Sequence, residues 1–223
     1  MHRSIRAAGT VALLAALTAC SSEEESINAL DVLGELREVI SQGDGAQPLE
    51  QSQIDQAVAQ IPSPLKFIEV TSRGGQAVFA PIQENGPYVT YASSTGQSVV
   101  FRNGFAVQSR GFGGDLMSSD EDALLRLVRA RSGGTAPYVM RFLSGDNDTI
   151  VHRYTCNVIP QGPTPYAAGV VRSSATELEV HCVSEGGTDF VSSFTVDGSG
   201  EVLAARHWFG RLSEDLVYLT LRQ

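Results

Sequence analysis

From Lys66 to the C-terminus apolar residues recur at every second position in short runs, and Gly, Asn, Asp or Pro interrupts the runs about every ten residues. Period two places alternate side chains on opposite faces of an extended chain, so each run can bury one face. Strands of this length joined by tight turns make an antiparallel meander. The first half reads as strands near Lys66–Thr71, Gln76–Ile82, Tyr88–Tyr91, Ser98–Phe101 and Phe105–Ser109. The sharpest turn among them is Asn103-Gly104, because a type I′ hairpin needs positive φ at both central residues and Asn and Gly adopt it at low cost.

Helical spacing appears only outside these runs. Leu30, Leu33, Leu36, Val39 and Ile40 mark an amphipathic helix over 29–40, and Ile54, Ala57, Val58 and Ile61 mark another that Pro62 and Pro64 stop. After Gly111-Phe112-Gly113-Gly114, the stretch Ser118-Ser119-Asp120-Glu121 reads as a capping box for a helix carrying Leu124, Leu125, Leu127 and Val128 to about Arg131. The second half returns to strands near Tyr138–Leu143, Thr149–Val158, Leu178–Ser184, Phe190–Val196, Val202–Trp208 and Leu216–Leu221, with Asp197-Gly198-Ser199-Gly200 as a hairpin loop. The expected fold is mainly β, an antiparallel barrel-like or sandwich domain with short helices at the N-terminus and in the middle. Phe112-Gly113 and Phe209-Gly210 end two hairpins alike, which suggests similar edges of one sheet system.

The N-terminus sets the location. Arg3 and Arg6 precede an almost wholly small and apolar run from Ala7 to Leu17, and Leu17-Thr18-Ala19-Cys20 is a lipobox at its boundary. Residues 1–19 are therefore expected to be a lipoprotein signal peptide, and Cys20 the acylated first residue of the mature chain. Two or three acyl chains of palmitate length hold a protein on a membrane where one alone binds reversibly. Ser21 after the Cys favours the outer membrane. Residues 20–28, with Glu23, Glu24 and Glu25, form an acidic tether, and 29–223 a single domain. Without its signal the chain carries 14 Lys and Arg against 25 Asp and Glu, a formal charge of −11. Such a surface has no footprint for nucleic acid and is repelled by anionic headgroups, so the lipid does the holding.

Candidate site residues are few. In an exported chain the remaining pair, Cys156 and Cys182, reads first as a disulfide; two free buried thiols, or a metal site with His152 and His181, stay open. His181 and Cys182 are adjacent and point to opposite faces of a strand, and no CxxC is present, so no metal and no cofactor is expected. The glycine run 111–114 could offer amides to a phosphate but lacks the P-loop Lys and Ser or Thr, and a turn accounts for it. Ser213, His207 and Asp215 have the residue types of a triad without a GxSxG elbow. Asp120 with Asp122 and Asp146 with Asp148 fit a helix start and a turn. Trp208, beside Arg206 and Phe209, is the candidate glycan contact, with core packing as the alternative.

On the lipobox Cys20, the helix before Ile61-Pro62-Ser63, the segment TGQSVVFRNGFAVQSRGFGG over 95–114 and the closing hairpin SFTVDGSGEVLAARHWFG, the chain resembles the YjbF/GfcB-type lipoproteins encoded with capsule and exopolysaccharide secretion genes. The resemblance implies a periplasm-facing outer-membrane lipoprotein that acts, without catalysis, as an accessory factor in polysaccharide export or assembly. Its partners would be the membrane, through the acyl chains, polysaccharide export or assembly proteins, and a glycan. The alternatives are a periplasmic lipid- or glycan-binding carrier, which needs a cavity, and a glycan-modifying enzyme, which needs carboxylates converging in a cleft.

Overall fold

The computed structural model describes residues 33, 34, 36, 48–146, 148–184 and 187–223. The expected signal peptide, Cys20 and the expected acidic tether lie outside the described residues, as does most of the helix expected over 29–40. Of that helix, Leu33, Gly34 and Leu36 are helical, and Leu36 is fully buried. Helix α1 spans Gln51–Gln60, opens with the Glu50 N–H donating to Gln53 Oε1 at 3.0 Å, and stops at Ile61-Pro62 as its sequence requires. Among the described residues no helix is long and apolar enough to cross a membrane.

Twelve antiparallel strands follow among the described residues. They are β1 Leu65–Val70, β2 Gly75–Asn85, β3 Tyr88–Ala92, β4 Ser98–Arg102, β5 Phe105–Arg110, β6 Leu116–Asp120, β7 Gly134–Leu143, β8 Thr149–Ala168, β9 Val171–Val183, β10 Phe190–Asp197, β11 Val202–Trp208 and β12 Asp215–Arg222; helix α2, Asp122–Ala130, lies between β6 and β7. The sheet order is β5-β4-β3-β2-β1-β12-β11-β10-β9-β8-β7-β6. Two meanders, β1–β5 and β6–β12, are thus joined by pairing of the first strand with the last, with Phe67 opposite Leu219 and Ile68 opposite Tyr218. The sheet curls until its outer strands β5 and β6 face each other, giving a nearly closed barrel; of the two architectures the sequence allowed, the barrel is the one formed.

The seam falls between β5 and β6, which are consecutive in the chain yet share no strand ladder. Side chains bridge it. The Leu116 N–H donates to Ser109 Oγ at 3.1 Å and Ser119 Oγ to the Val107 carbonyl at 3.3 Å. The intervening loop is held by Asp115, whose carboxylate accepts from the Gly111 N–H at 2.9 Å, the Phe112 N–H at 3.0 Å and Ser109 Oγ at 3.1 Å. The loop amides that a phosphate would require therefore meet an anion of their own chain.

Strand β1 shows how the barrel uses both faces. Ile68 and Val70 point inward to the main core, and Leu65 and Phe67 point outward to a second cluster with Ala57, Val58, Val78, Ala80 and Leu221, covered by α1. The lumen is filled with aromatic rings: Phe79, Phe105, Tyr138, Phe194, Phe209 and Tyr218 are each under 2 % exposed. Phe105 and Phe194 stack at 5.1 Å, and Phe101 meets Tyr218 edge to face at 5.2 Å, geometries that suit the ring quadrupole.

Three expectations need correcting. Ser118 and Ser119 belong to β6 and do not cap α2; Glu121 is the cap residue, and its side chain makes no capping bond. The supposed end of a strand at Val158 is mid-strand, because β8 runs on to Ala168 as one arm of a long hairpin with β9. The arm folds back onto β12, with Tyr166 Oη donating to the Thr220 carbonyl at 2.7 Å and the Val170 N–H to the Leu221 carbonyl at 2.9 Å. Strand β7 accompanies β8 only as far as Val158, so the stretch beyond is a sheet edge. Pro160, Pro163 and Pro165 sit on it and cannot donate to an added strand, which blunts the edge against association. The two Phe-Gly corners do meet at one end of the barrel, where Ser213 Oγ donates to the Gly114 carbonyl at 3.4 Å. Only β5 of the two strands they terminate is an edge; β11 is internal.

Candidate functional site: the helix-capped end of the barrel

The hairpin turns at Asn103-Gly104 and Asp197–Gly200 come together at one end of the barrel, and α2 lies across them. The Val202 N–H donates to the Asn103 carbonyl at 3.0 Å. Helix α2 forms there because Leu124, Leu125 and Val128 fall on one face and bury in the main core. Arginines fasten its margins. Arg102 Nη1 donates to Glu121 Oε1 at 3.0 Å and contacts the Asp122 carboxylate; Arg129 Nε donates to the Gly200 carbonyl at 3.2 Å; and the Arg131 guanidinium donates to the Asp197 carbonyl. The two carboxylates hold the Arg102 pKa above its ordinary value.

Between α2 and the turns runs an open groove of about 290 Å³, lined by Arg102, Asn103, Asp122, Arg126, Arg129 and Ser199, with Leu125 at its floor. Beneath this end Lys66 is buried. Its Nζ donates to Thr220 Oγ1 at 2.8 Å and lies 4.8 Å from the Phe101 ring centroid. Burial pulls the ammonium pKa down to about 8, against the opposing pull of Glu201, and burial raises the Glu201 carboxyl in turn.

The residues singled out in sequence lie elsewhere. Phe209 is fully buried, its ring 5.1 Å from that of His207, so it belongs to the core and cannot present a stacking face to a glycan. Trp208 is half-buried and stacks on Phe190 at 5.8 Å. Arg206 is exposed and donates from Nε to Asp215 Oδ2 at 2.7 Å. The supposed triad is not assembled: Asp215 holds Arg206, Ser213 bonds to Gly114, and His207 is enclosed by Phe105, Phe194 and Phe209. His207 Nδ1 has no hydrogen-bond partner among the described residues, and burial pulls its pKa down to about 3.

Cys156 and Cys182 face each other in the β8–β9 ladder and are joined as a disulfide. His152 packs against Phe142 and Tyr154, whereas His181 is exposed and bonds Glu179 at 3.1 Å, so the four residues do not converge. Among the described residues no three His, Cys, Asp or Glu side chains are placed to hold a metal ion. The groove arginines carried no sequence signal beyond three of sixteen basic residues; Arg126 and Arg129, at i and i+3 of a helix, were the available hint.

The domain is a nearly closed antiparallel barrel with an aromatic-filled lumen, capped by one helix and clad by another. The chain belongs to the YjbF family, described as group 4 capsule polysaccharide lipoprotein GfcB, whose model matches residues 34–221. The fold is similar to that of the hypothetical lipoprotein YmcC from Escherichia coli, with a TM-score of 0.66 at 14 % identity over 76 % of this chain and 88 % of that one. A putative exported protein with a YmcC-like fold from Bacteroides fragilis aligns at 8 % identity and a TM-score of 0.30, over 71 % of this chain and 93 % of that one. No curated protein sequence matches the chain.

Proposed function

We propose that this protein is a lipid-anchored, periplasm-facing component of the outer membrane that serves as a non-enzymatic accessory factor in the export or assembly of capsule or exopolysaccharide. The observation that carries the reading is the match to the group 4 capsule lipoprotein family over nearly the whole domain. The lipobox supports the anchor, since Cys20 stands where acylation would leave it as the first mature residue. The filled lumen speaks against a carrier, because the rings around His207 occupy the space a ligand would need. The carboxylates argue against a glycosidase, since Glu121, Asp122 and Asp215 already answer arginines.

The test is deletion of the gene with measurement of surface polysaccharide, complemented by the wild-type chain and by Cys20→Ser. Loss of polysaccharide on deletion, restored by the wild type and not by a soluble Cys20→Ser protein, is the expected result. Unchanged polysaccharide on deletion sinks the reading.

A further inference from the structure

We infer that the groove between α2 and the two hairpin turns binds the carboxylate-bearing sugar units of an acidic polysaccharide. The ligand class rests on the reading of the chain as a polysaccharide-export lipoprotein; the site rests on geometry. Three guanidinium groups line the groove against one carboxylate, Asp122, and Arg102 already answers that carboxylate. Among the described residues Arg126 and Arg129 form no ion pair, on a chain whose formal charge is −9, and the one carboxyl that feels Arg129 is the largely buried Glu201. An anion is repelled by most of this surface and drawn to the groove, and such contrast produces selectivity.

The two arginines are also aimed. Both sit on α2, three residues apart and so on one side of the helix, and its inner face is fixed in the core by Leu124, Leu125 and Val128. Each uses Nε to hold its stem, Arg126 to the Asp122 carbonyl at 3.3 Å and Arg129 to the Gly200 carbonyl at 3.2 Å. Among the described residues their terminal amino groups have no hydrogen-bond partner, which leaves two forks of the shape that takes a carboxylate in paired bonds. Asn103 and Ser199 add polar groups for sugar hydroxyls. A volume of about 290 Å³ suits one or two sugar rings of a long chain that passes across the open groove. Inorganic phosphate lacks the ring hydroxyls that Asn103 and Ser199 would engage, so a carboxylate carried on a sugar has contacts that phosphate does not.

The test uses the full mature acylated chain in neutral detergent micelles, titrated calorimetrically with trigalacturonate, maltotriose and inorganic phosphate. Trigalacturonate should bind, weaken as salt rises, and lose about tenfold in affinity in Arg126→Ala, the loss of one charge-assisted pair, with part restored in Arg126→Lys. Arg126 is exposed, so an unchanged urea midpoint will show that the variant is folded. No binding of trigalacturonate, equal binding of maltotriose or phosphate, or full affinity in Arg126→Ala overturns the inference. Loss of polysaccharide on gene deletion together with no trigalacturonate binding overturns the inference alone and leaves the functional reading standing. Arg126-dependent binding with polysaccharide unchanged on deletion keeps the site and overturns the functional reading.

Discussion

The Val202 N–H donates to the Asn103 carbonyl at 3.0 Å, and that bond joins the β4–β5 turn to the start of β11, two parts of the chain nearly a hundred residues apart. Gly104 makes the approach possible. It has a φ of 73°, and a Cβ placed on it would lie 2.0 Å from the Val202 carbonyl oxygen.

Gly104→Ala should therefore destabilise the protein by about 3 kcal/mol or more, since left-handed strain and a backbone clash add. Gly198, in the facing turn, has open space within 4 Å of the position a methyl would take, and Gly198→Ala should stay within about 0.5 kcal/mol of wild type. Urea midpoints of the two variants make the comparison. Similar losses would mean that the turn contact is not what Gly104 serves.

His207 predicts a pH dependence. Its folded-state pKa, about 3, lies below the ordinary 6.5, so between these values the unfolded chain takes up a proton that the folded chain refuses. The contribution is constant above about pH 6.5 and stability is lost as the pH falls from there toward 3, by up to about 1.4 kcal/mol per unit. His207→Phe should flatten this part of the profile relative to wild type, measured as unfolding free energy at pH 7.5, 6 and 4.5. An unchanged slope would place the uptake on other groups.

Reduction, or paired Cys156→Ser and Cys182→Ser, removes a crosslink between residues 26 apart and should cost about 3 kcal/mol. Thermal unfolding with and without reductant reads this directly, and a reductant-insensitive wild type would contradict the disulfide.

Phe209 and Arg206 stand three residues apart with opposite expectations. Phe209→Ala opens a cavity beside His207 and should cost about 3–5 kcal/mol. Arg206→Ala removes an ion pair whose arginine is 60 % exposed and should cost less than about 1 kcal/mol. Equal effects would mean that Phe209 is not the core residue its burial indicates.

At the seam, Asp115→Ala leaves the Gly111 and Phe112 amides and Ser109 Oγ without their acceptor. A loss of about 2 kcal/mol is expected, with faster amide hydrogen exchange confined to β5, β6 and their loop. Exchange that rises evenly over the barrel would show that the seam does not open by itself.

How much of this was legible in the sequence depended on the range over which each signal acts. The strand periods, the Asn103-Gly104 and Asp197–Gly200 turns, and the helices stopped at Pro62 and near Arg131 are set by residues within a few positions of one another; the turns and helix ends appear where the pattern put them, and eleven of the twelve strands overlap their expected runs, β6 being the one without an expected run. The Ser118–Glu121 capping motif misled because tertiary pairing with β7 made a strand of residues that suit a cap equally well. Strand β8 continues past its expected end at Val158 through Pro160, Pro163 and Pro165, since prolines are tolerated on an edge whose N–H positions face outward.

By itself the sequence determined an excess of acidic residues, a mainly β domain and the tight turns of its hairpins. Only the tertiary structure decided that β1 pairs with β12, that the barrel closes between two consecutive strands, that Phe209 and His207 belong to the lumen, and that Arg126 and Arg129 share a groove. The physical reason is separation: Lys66 and Thr220 are 154 residues apart, and no local propensity records a contact that only the pairing of β1 with β12 brings about.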